Sequence, residues 1–272
     1  MVIDKPKLNM TAIVLAGQRD GEDALAQHAG ASCKAFVEID GKPMLLRVLA
    51  TLSTSPGIKT ILLSGPSKDK LKDQREINNL IQSGDISWLP PQSSPSTSAY
   101  EALRMLPPEQ QVLLTTADHP LLSVEIVDEF CTRGAEQDAD LVIGFARFSL
   151  VQKEFPGLEK TVLRFSDGEL CGCNLFAFLT PAGREAANFW RRTESRRKNP
   201  FRVIGALGWI NVLKYFFGAL TLEDALDALS RKLELRVRAV VLPYADAAVD
   251  VDSIADYRTV QEKFLKRQDI SP

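Results

Sequence analysis

The run TAIVLAG, Thr11 to Gly17, is a short apolar segment closed by glycine, the pattern of a parallel strand buried on both faces. Outward from it the same signature returns in IKTILLSG (Ile58 to Gly65) and in QVLLTTAD (Gln111 to Asp118). The last of these is apolar in its body and ends in a carboxylate just before His119-Pro120. Between the runs, AFVEIDG reads as a short extended piece, and Lys42-Pro43 opens the helix MLLRVLATL with proline in its first turn. Lys68 to Ser83 reads as polar helix, ISWLPP as a brief strand stopped by two prolines, Ser98 to Leu106 as helix and Val124 to Gly134 as helix. DLVIGFARF, TVLRF and ELCGCNLFAF then follow as strands without long helices between them, so a parallel first half gives way to a mixed sheet.

The last third changes character. Pro181 to Arg197 reads as an Arg-rich helix, and Trp209, Leu213, Phe216 and Leu220 recur at helical spacing. Thr221 with Asp224 forms a capping box for a helix through Leu233. LRVRAVVLP sets Val237, Ala239 and Val241 against Arg236 and Arg238, a strand with one wetter face, and Ser253 with Asp256 caps a terminal helix to about Lys266. Without repeats or low-complexity linkers, residues 1–272 read as one α/β domain with a helical insertion at 181–233.

Composition narrows the classes of function. A chain of 272 residues that is 45% hydrophobic fills a conventional core. Its formal charge of −2 gives no field that would draw it onto nucleic acid. Cys33, Cys131, Cys171 and Cys173 form no pair of CxxC knuckles and, with only His28 and His119 to join them, argue for reduced thiols over structural zinc. Cys171 and Cys173 fit one face of a strand. MVIDKPKLNM lacks the build of a signal peptide, so the expected location is the cytoplasm. Between Val203 and Leu222 the only charged residue is Lys214. That stretch has the length of a bilayer span, but its central lysine, Asn211 and three glycines favour a buried or lid helix pair, with peripheral contact at the inner membrane surface as the other reading.

Three stretches carry candidate chemistry. A strand that ends at Gly17 and runs into a polar loop holding Arg19 and Lys34 places backbone N–H groups and two cations where a polyphosphate would lie. Neither the Walker nor the GxGxxG pattern is present. Asp118, at the carboxyl end of a central strand, suits a hard cation such as Mg²⁺, and Asp250 and Asp252 in VDVDSIADY would share a face if extended. Two separate carboxylates, an Arg and a Lys make the minimal kit for phosphoryl or nucleotidyl transfer.

In this order, LAG, Arg19, Lys34, GKPML, TTADHP and DVDSIADY resemble the nucleoside-triphosphate transferases. That family includes the molybdenum-cofactor guanylyl- and cytidylyltransferases and the sugar-phosphate and choline-phosphate nucleotidyltransferases. The resemblance implies a glycosyltransferase-A-like, Rossmann-like fold and attack of an acceptor phosphate on the α-phosphorus of CTP or GTP, with release of pyrophosphate. It implies that Leu15, Ala16 and Gly17 meet the base and ribose, that Ser96, Thr97 and Ser98 form a second base-reading segment, and that Arg19 and Lys34 meet the phosphates. Asp118 and Asp252 would hold Mg²⁺, Asp252 being preferred to Asp250 because it immediately precedes the capping serine. By fold analogy Gly172 and Asn174 lie beside the acceptor, a phosphorylated small molecule or a lipid-like one under a helical lid.

The cation run from Arg191 to Lys198 reads as a solvated helix face or as a site for acceptor phosphate or anionic lipid. The aromatic residues near Phe216 read as core or dimer contacts. Two other functions compete: a glycosyltransferase of the same fold using Asp250-Val251-Asp252 as its metal motif, and a non-catalytic nucleotide-binding or membrane-associated protein.

Overall fold

The computed structural model describes residues 8–17, 23–194 and 218–268. Strand β1 (Met10–Leu15) leads to the short helix α1 (Ala24–His28), whose N-terminus is capped by Asp23 accepting from the Ala26 amide at 2.9 Å. The segment read as extended, AFVEIDG, begins instead as a tight turn over Lys34–Phe36, then pairs β2 (Glu38–Ile39) with β3 (Lys42–Pro43) across Asp40 and Gly41, both at positive φ. Helix α2 (Met44–Thr54) starts directly after Pro43, and β4 (Ile58–Ser64) follows it.

The polar stretch expected as one helix is broken into α3 (Lys68–Leu71) and α4 (Arg75–Ser83). After β5 (Ile86–Leu89), α5 (Pro95–Arg104) begins three residues before the expected start. Ser94 accepts from the Thr97 amide at 3.2 Å and Pro95 occupies the first turn, a start signal stronger than the apolar spacing suggests. Then come β6 (Val112–Thr116), α6 (Val124–Ala135), β7 (Leu141–Arg147), α7 (Phe148–Glu154), β8 (Leu163–Phe165) and β9 (Gly168–Phe178).

From Pro181 the chain makes a tight turn before α8 (Glu185–Glu194), and the remainder of the expected helix, with Trp209, Leu213, Phe216 and the cations beyond Glu194, lies outside the described residues. Helix α9 (Leu222–Leu233) has the expected cap, Thr221 accepting from the Asp224 amide at 3.0 Å. In β10 (Val237–Leu242) the buried residues are Val237, Val240 and Leu242 rather than a strict alternation, because both faces of the strand are partly covered. Helix α10 (Ile254–Gln268) closes the chain.

The main sheet runs β10-β7-β9-β6-β1-β4-β5, with β8 on β9. β1 is parallel to β4 and β6, and β5 to β4, while β9 is antiparallel to β6 and β7; this is the parallel-then-mixed order expected. Burial on both faces explains the continuous apolar run of β1. Met10, Ala12 and Val14 join one core with α2 and α6, and Ile13 and Leu15 join the other with α5, α8 and α9. Cys171 and Cys173 lie buried on one face of β9, as read, and all four cysteines are free thiols. No helix among the described residues is long and apolar enough to cross a membrane.

Candidate active site

At the carboxyl ends of β1 and β6 a small hollow is lined by Leu15, Ala16, Gly17, Cys33, Lys34, Ala35, Ala117 and Asp118. The sheet creates it: β1 and β6 stop side by side, and the Ala117 amide still donates to Leu15 carbonyl at 3.0 Å. In the turn after α1, the buried Cys33, Ala35 and Phe36 sit in the core and leave Lys34 to reach the sheet edge. Its Nζ donates to Asp118 Oδ2 at 2.6 Å and also to Asp252 Oδ1.

The carboxylates of Asp118 and Asp252, 134 residues apart in sequence by their numbers, therefore lie on one ammonium and no further apart than two hydrogen-bond lengths. Burial works against the Lys34 charge, but the two aspartates outweigh it and raise its pKa above the ordinary lysine value. Burial likewise opposes ionisation of Asp118, yet Lys34 and the hydroxyl of Thr116, which donates to Asp118 Oδ1 at 2.5 Å, hold its carboxyl below the usual range.

Two backbone devices fix Asp252. The Val251 amide donates to Asp118 carbonyl at 2.9 Å, tying the C-terminal segment to the end of β6. Asp256 Oδ2 accepts from the amides of Asp252 and Ser253 at 3.1 and 2.8 Å, while Ser253 Oγ accepts from the Asp256 amide at 3.1 Å. Asp250, the other candidate in DVD, goes elsewhere: it pairs with Lys160 and accepts from Asn174 Nδ2 at 3.1 Å. Asp250 and Asp252 thus serve different lysines, unlike a single two-carboxylate motif.

Gly17 lies against Pro91, where an added Cβ would meet Pro91 Cβ at 3.3 Å, and the next residue, Gln92, is tied to the second candidate segment. Ser98 is buried and accepts from the Gln92 amide at 3.0 Å, Ser96 is buried, and Thr97 is half-buried, its hydroxyl 3.0 Å from Ser94 Oγ. Gly172 and Asn174 line a larger cavity of about 350 Å³, together with Lys160, Thr161, Asp250 and Asp252. Asp252 is the residue through which this cavity adjoins the Lys34 cluster. Arg19 lies outside the described residues.

Sequence reading missed four residues here. Lys160 sits in a loop with no pattern to mark it. Thr116 and the buried His119, whose Nε2 is 3.1 Å from Asn174 Nδ2, both flank Asp118, and burial pushes the His119 pKa down to about 4. Gly65 was visible as a strand-ending glycine, but its need was not: φ is +84°, and a Cβ would stand 2.9 Å from the Gly17 nitrogen.

An open, mostly parallel, Rossmann-like sheet thus carries a lysine and two convergent aspartates at its carboxyl edge, where sheets of this kind bind their ligands. The chain belongs to the MobA-like NTP transferase family, whose domain model matches residues 12–154. A search of curated proteins finds no match. Among solved structures, a hypothetical transferase from Thermus thermophilus is 30% identical, with a TM-score of 0.76 over 92% of this chain and all of that one. The 4-diphosphocytidyl-2C-methyl-D-erythritol synthase of Anaerococcus prevotii shares the fold at 15% identity and TM-score 0.52, over 94% of this chain and 96% of that one. CMP:2-keto-3-deoxy-manno-octonic acid synthetase, solved with CTP, does so at 11% identity and TM-score 0.55, over 95% and 99%.

Proposed function

We propose that the protein transfers a nucleoside monophosphate from CTP or GTP to a small phosphorylated acceptor. The observation that carries this reading is the single ammonium of Lys34 between Asp118 and Asp252 at the strand ends. An acceptor phosphate oxygen forms a bond to the α-phosphorus, the bond from that phosphorus to the α,β-bridging oxygen breaks, and pyrophosphate departs with the electron pair. No general base is required, because a phosphate monoester is already largely ionised at neutral pH. Leu15, Ala16 and Gly17, with Ser96, Thr97 and Ser98 at the start of α5, would take the base and ribose; Arg19 and Lys34 would take phosphate oxygens.

Two convergent carboxylates are a hard oxygen donor set, and among the described residues no third acidic, His or Cys ligand joins them. That matches Mg²⁺, which takes one or two carboxylates and completes its shell with water and substrate phosphates. Asp118 and Asp252 would hold it, and it would supply charge neutralisation between the two joined anions. Lys34, released from the carboxylates, would turn to the phosphates. The acceptor would enter by the cavity of Gly172 and Asn174. The domain reading is retained with it: one domain, with 181–233 inserted between β9 and β10.

The test is pyrophosphate release from CTP and from GTP against a panel of phosphorylated alcohols, sugars and pterins. Release depends on acceptor and falls by about 10²–10³ in Asp118→Ala. Full turnover in that variant refutes the assignment.

A further inference from the structure

Strand β6 ends in two threonines whose side chains have different surroundings. Thr115 is buried in the sheet, whereas Thr116 is half-buried and pairs with Leu15 of β1, a lining residue of the hollow that holds Lys34 and Asp118. A threonine hydroxyl has one proton to donate. Thr116 gives it to Asp118 Oδ1 at 2.5 Å, two residues further along the chain. The link is local, formed where the strand turns into Ala117 and Asp118, and it depends on no distant segment.

The two oxygens of Asp118 are thereby set apart. Oδ1 is engaged by Thr116, while Oδ2 lies 2.6 Å from Lys34 Nζ, which also donates to Asp252 Oδ1. An ion entering between the carboxylates in place of that ammonium meets Asp118 through Oδ2. To use both oxygens it must first break the bond from Thr116, and hydrogen bonds to a charged acceptor are the stronger kind. Asp252 has a largely exposed side chain that turns with little hindrance, so fixed geometry at the ion has to come from Asp118.

Divalent ions differ in what they require of a carboxylate. Mg²⁺ forms a tight octahedron and takes one or two carboxylates, with water and phosphate oxygens completing its shell; Ca²⁺ gathers more oxygens and readily uses both from one carboxylate. A carboxylate with one oxygen tied down suits Mg²⁺ and withholds a ligand from Ca²⁺. Among the described residues no third acidic, His or Cys side chain makes up that loss.

Resting on the nucleotidyl-transfer reading, we propose that Thr116 is a positioning residue that confines Asp118 to one metal-binding oxygen and thereby favours Mg²⁺ over Ca²⁺ in the site. Its influence on the ion passes entirely through Asp118. A side chain that served only the turn at Ala117 would leave the relative affinity for the two ions unchanged.

The experiment displaces Mn²⁺ from the full-length protein with Mg²⁺ and, separately, with Ca²⁺, in the presence of a methylene-bridged CTP or GTP analogue, and reads free Mn²⁺ by electron paramagnetic resonance. The ratio of Ca²⁺ to Mg²⁺ affinity is expected to rise about tenfold in Thr116→Val, the factor set by one hydrogen bond to a charged group. Thr116→Ala, which removes the same hydroxyl without adding a methyl, gives the same rise, and Thr116→Ser, which keeps the hydroxyl, holds the wild-type ratio. A ratio unchanged in Thr116→Val or Thr116→Ala, or raised in Thr116→Ser, overturns the proposal, while Mn²⁺ binding by the wild type leaves the nucleotidyl-transfer reading standing. A wild type that binds no Mn²⁺ beyond what the analogue itself holds counts against the nucleotidyl-transfer reading, and the proposal falls with it.

Discussion

Lys34 is the residue on which the site turns. Its neighbours in CKAF are buried and fix the backbone, so its long side chain reaches a point where two acidic segments meet. An ammonium between two carboxylates keeps them close while the site is free of substrate, when their mutual repulsion would otherwise part them. Gly65 supports the same geometry from the other side of β1. Because a Cβ at Gly65 would lie 2.9 Å from the Gly17 nitrogen and 3.0 Å from its Cα, Gly65→Ala must displace the first loop as well as strain its own backbone. Affinity for CTP or GTP, measured by calorimetry, is expected to fall about tenfold, the equivalent of ~1.4 kcal/mol. An unchanged affinity shows that the Gly17 turn has no part in holding nucleotide.

At the scale of elements, the join between β7 and β10 rests on Asp140. Its carboxylate accepts from the Arg236 backbone amide at 2.8 Å, from that guanidinium at 3.0 and 3.1 Å, and from the Thr180 hydroxyl at 2.8 Å. The hydrogen bond from Arg236, stronger than the opposing effect of burial, holds the Asp140 carboxyl far below the usual carboxylate range. A carboxyl depressed in the folded state contributes stability above its unfolded pKa, near 3.8, and loses it as pH falls through the folded value. Asp140→Asn is therefore expected to lower Tm at pH 7 by about 2–4 °C. Thermal melts of the two proteins should converge as the pH drops below about 4; a gap constant with pH contradicts this.

Elements were legible in the sequence where burial on both faces left a mark. TAIVLAG and QVLLTTAD are continuous apolar runs because β1 and β6 lie between two helical layers. The caps at Thr221 and Ser253 were legible because capping is local chemistry. The start of α5 was misread because Ser94 and Pro95 decide it, three residues ahead of the apolar spacing. The convergence of Asp118, Lys34 and Asp252 was anticipated from motif order and resemblance, without which spacing alone would not join them. Lys160 left no trace, since its partner lies 90 residues away and neither residue belongs to a periodic pattern.

On the scale of the whole molecule, a sheet covered on both faces leaves its carboxyl edge as the place where polar groups can gather. There the hollow at Gly17 and Lys34 and the cavity at Lys160 and Asn174 flank the aspartate pair. The fold brings together residues from the first loop, the middle strand and the C-terminal segment. In the proposed reaction Asp118 and Asp252 share one divalent ion when nucleotide is bound. Electron paramagnetic resonance of Mn²⁺ titrated into protein with a methylene-bridged CTP or GTP analogue measures this. One tightly bound ion per chain is expected in the wild type, with affinity falling at least tenfold in both Asp118→Asn and Asp252→Asn; Mn²⁺ binding that survives either substitution intact would rule out a shared ion.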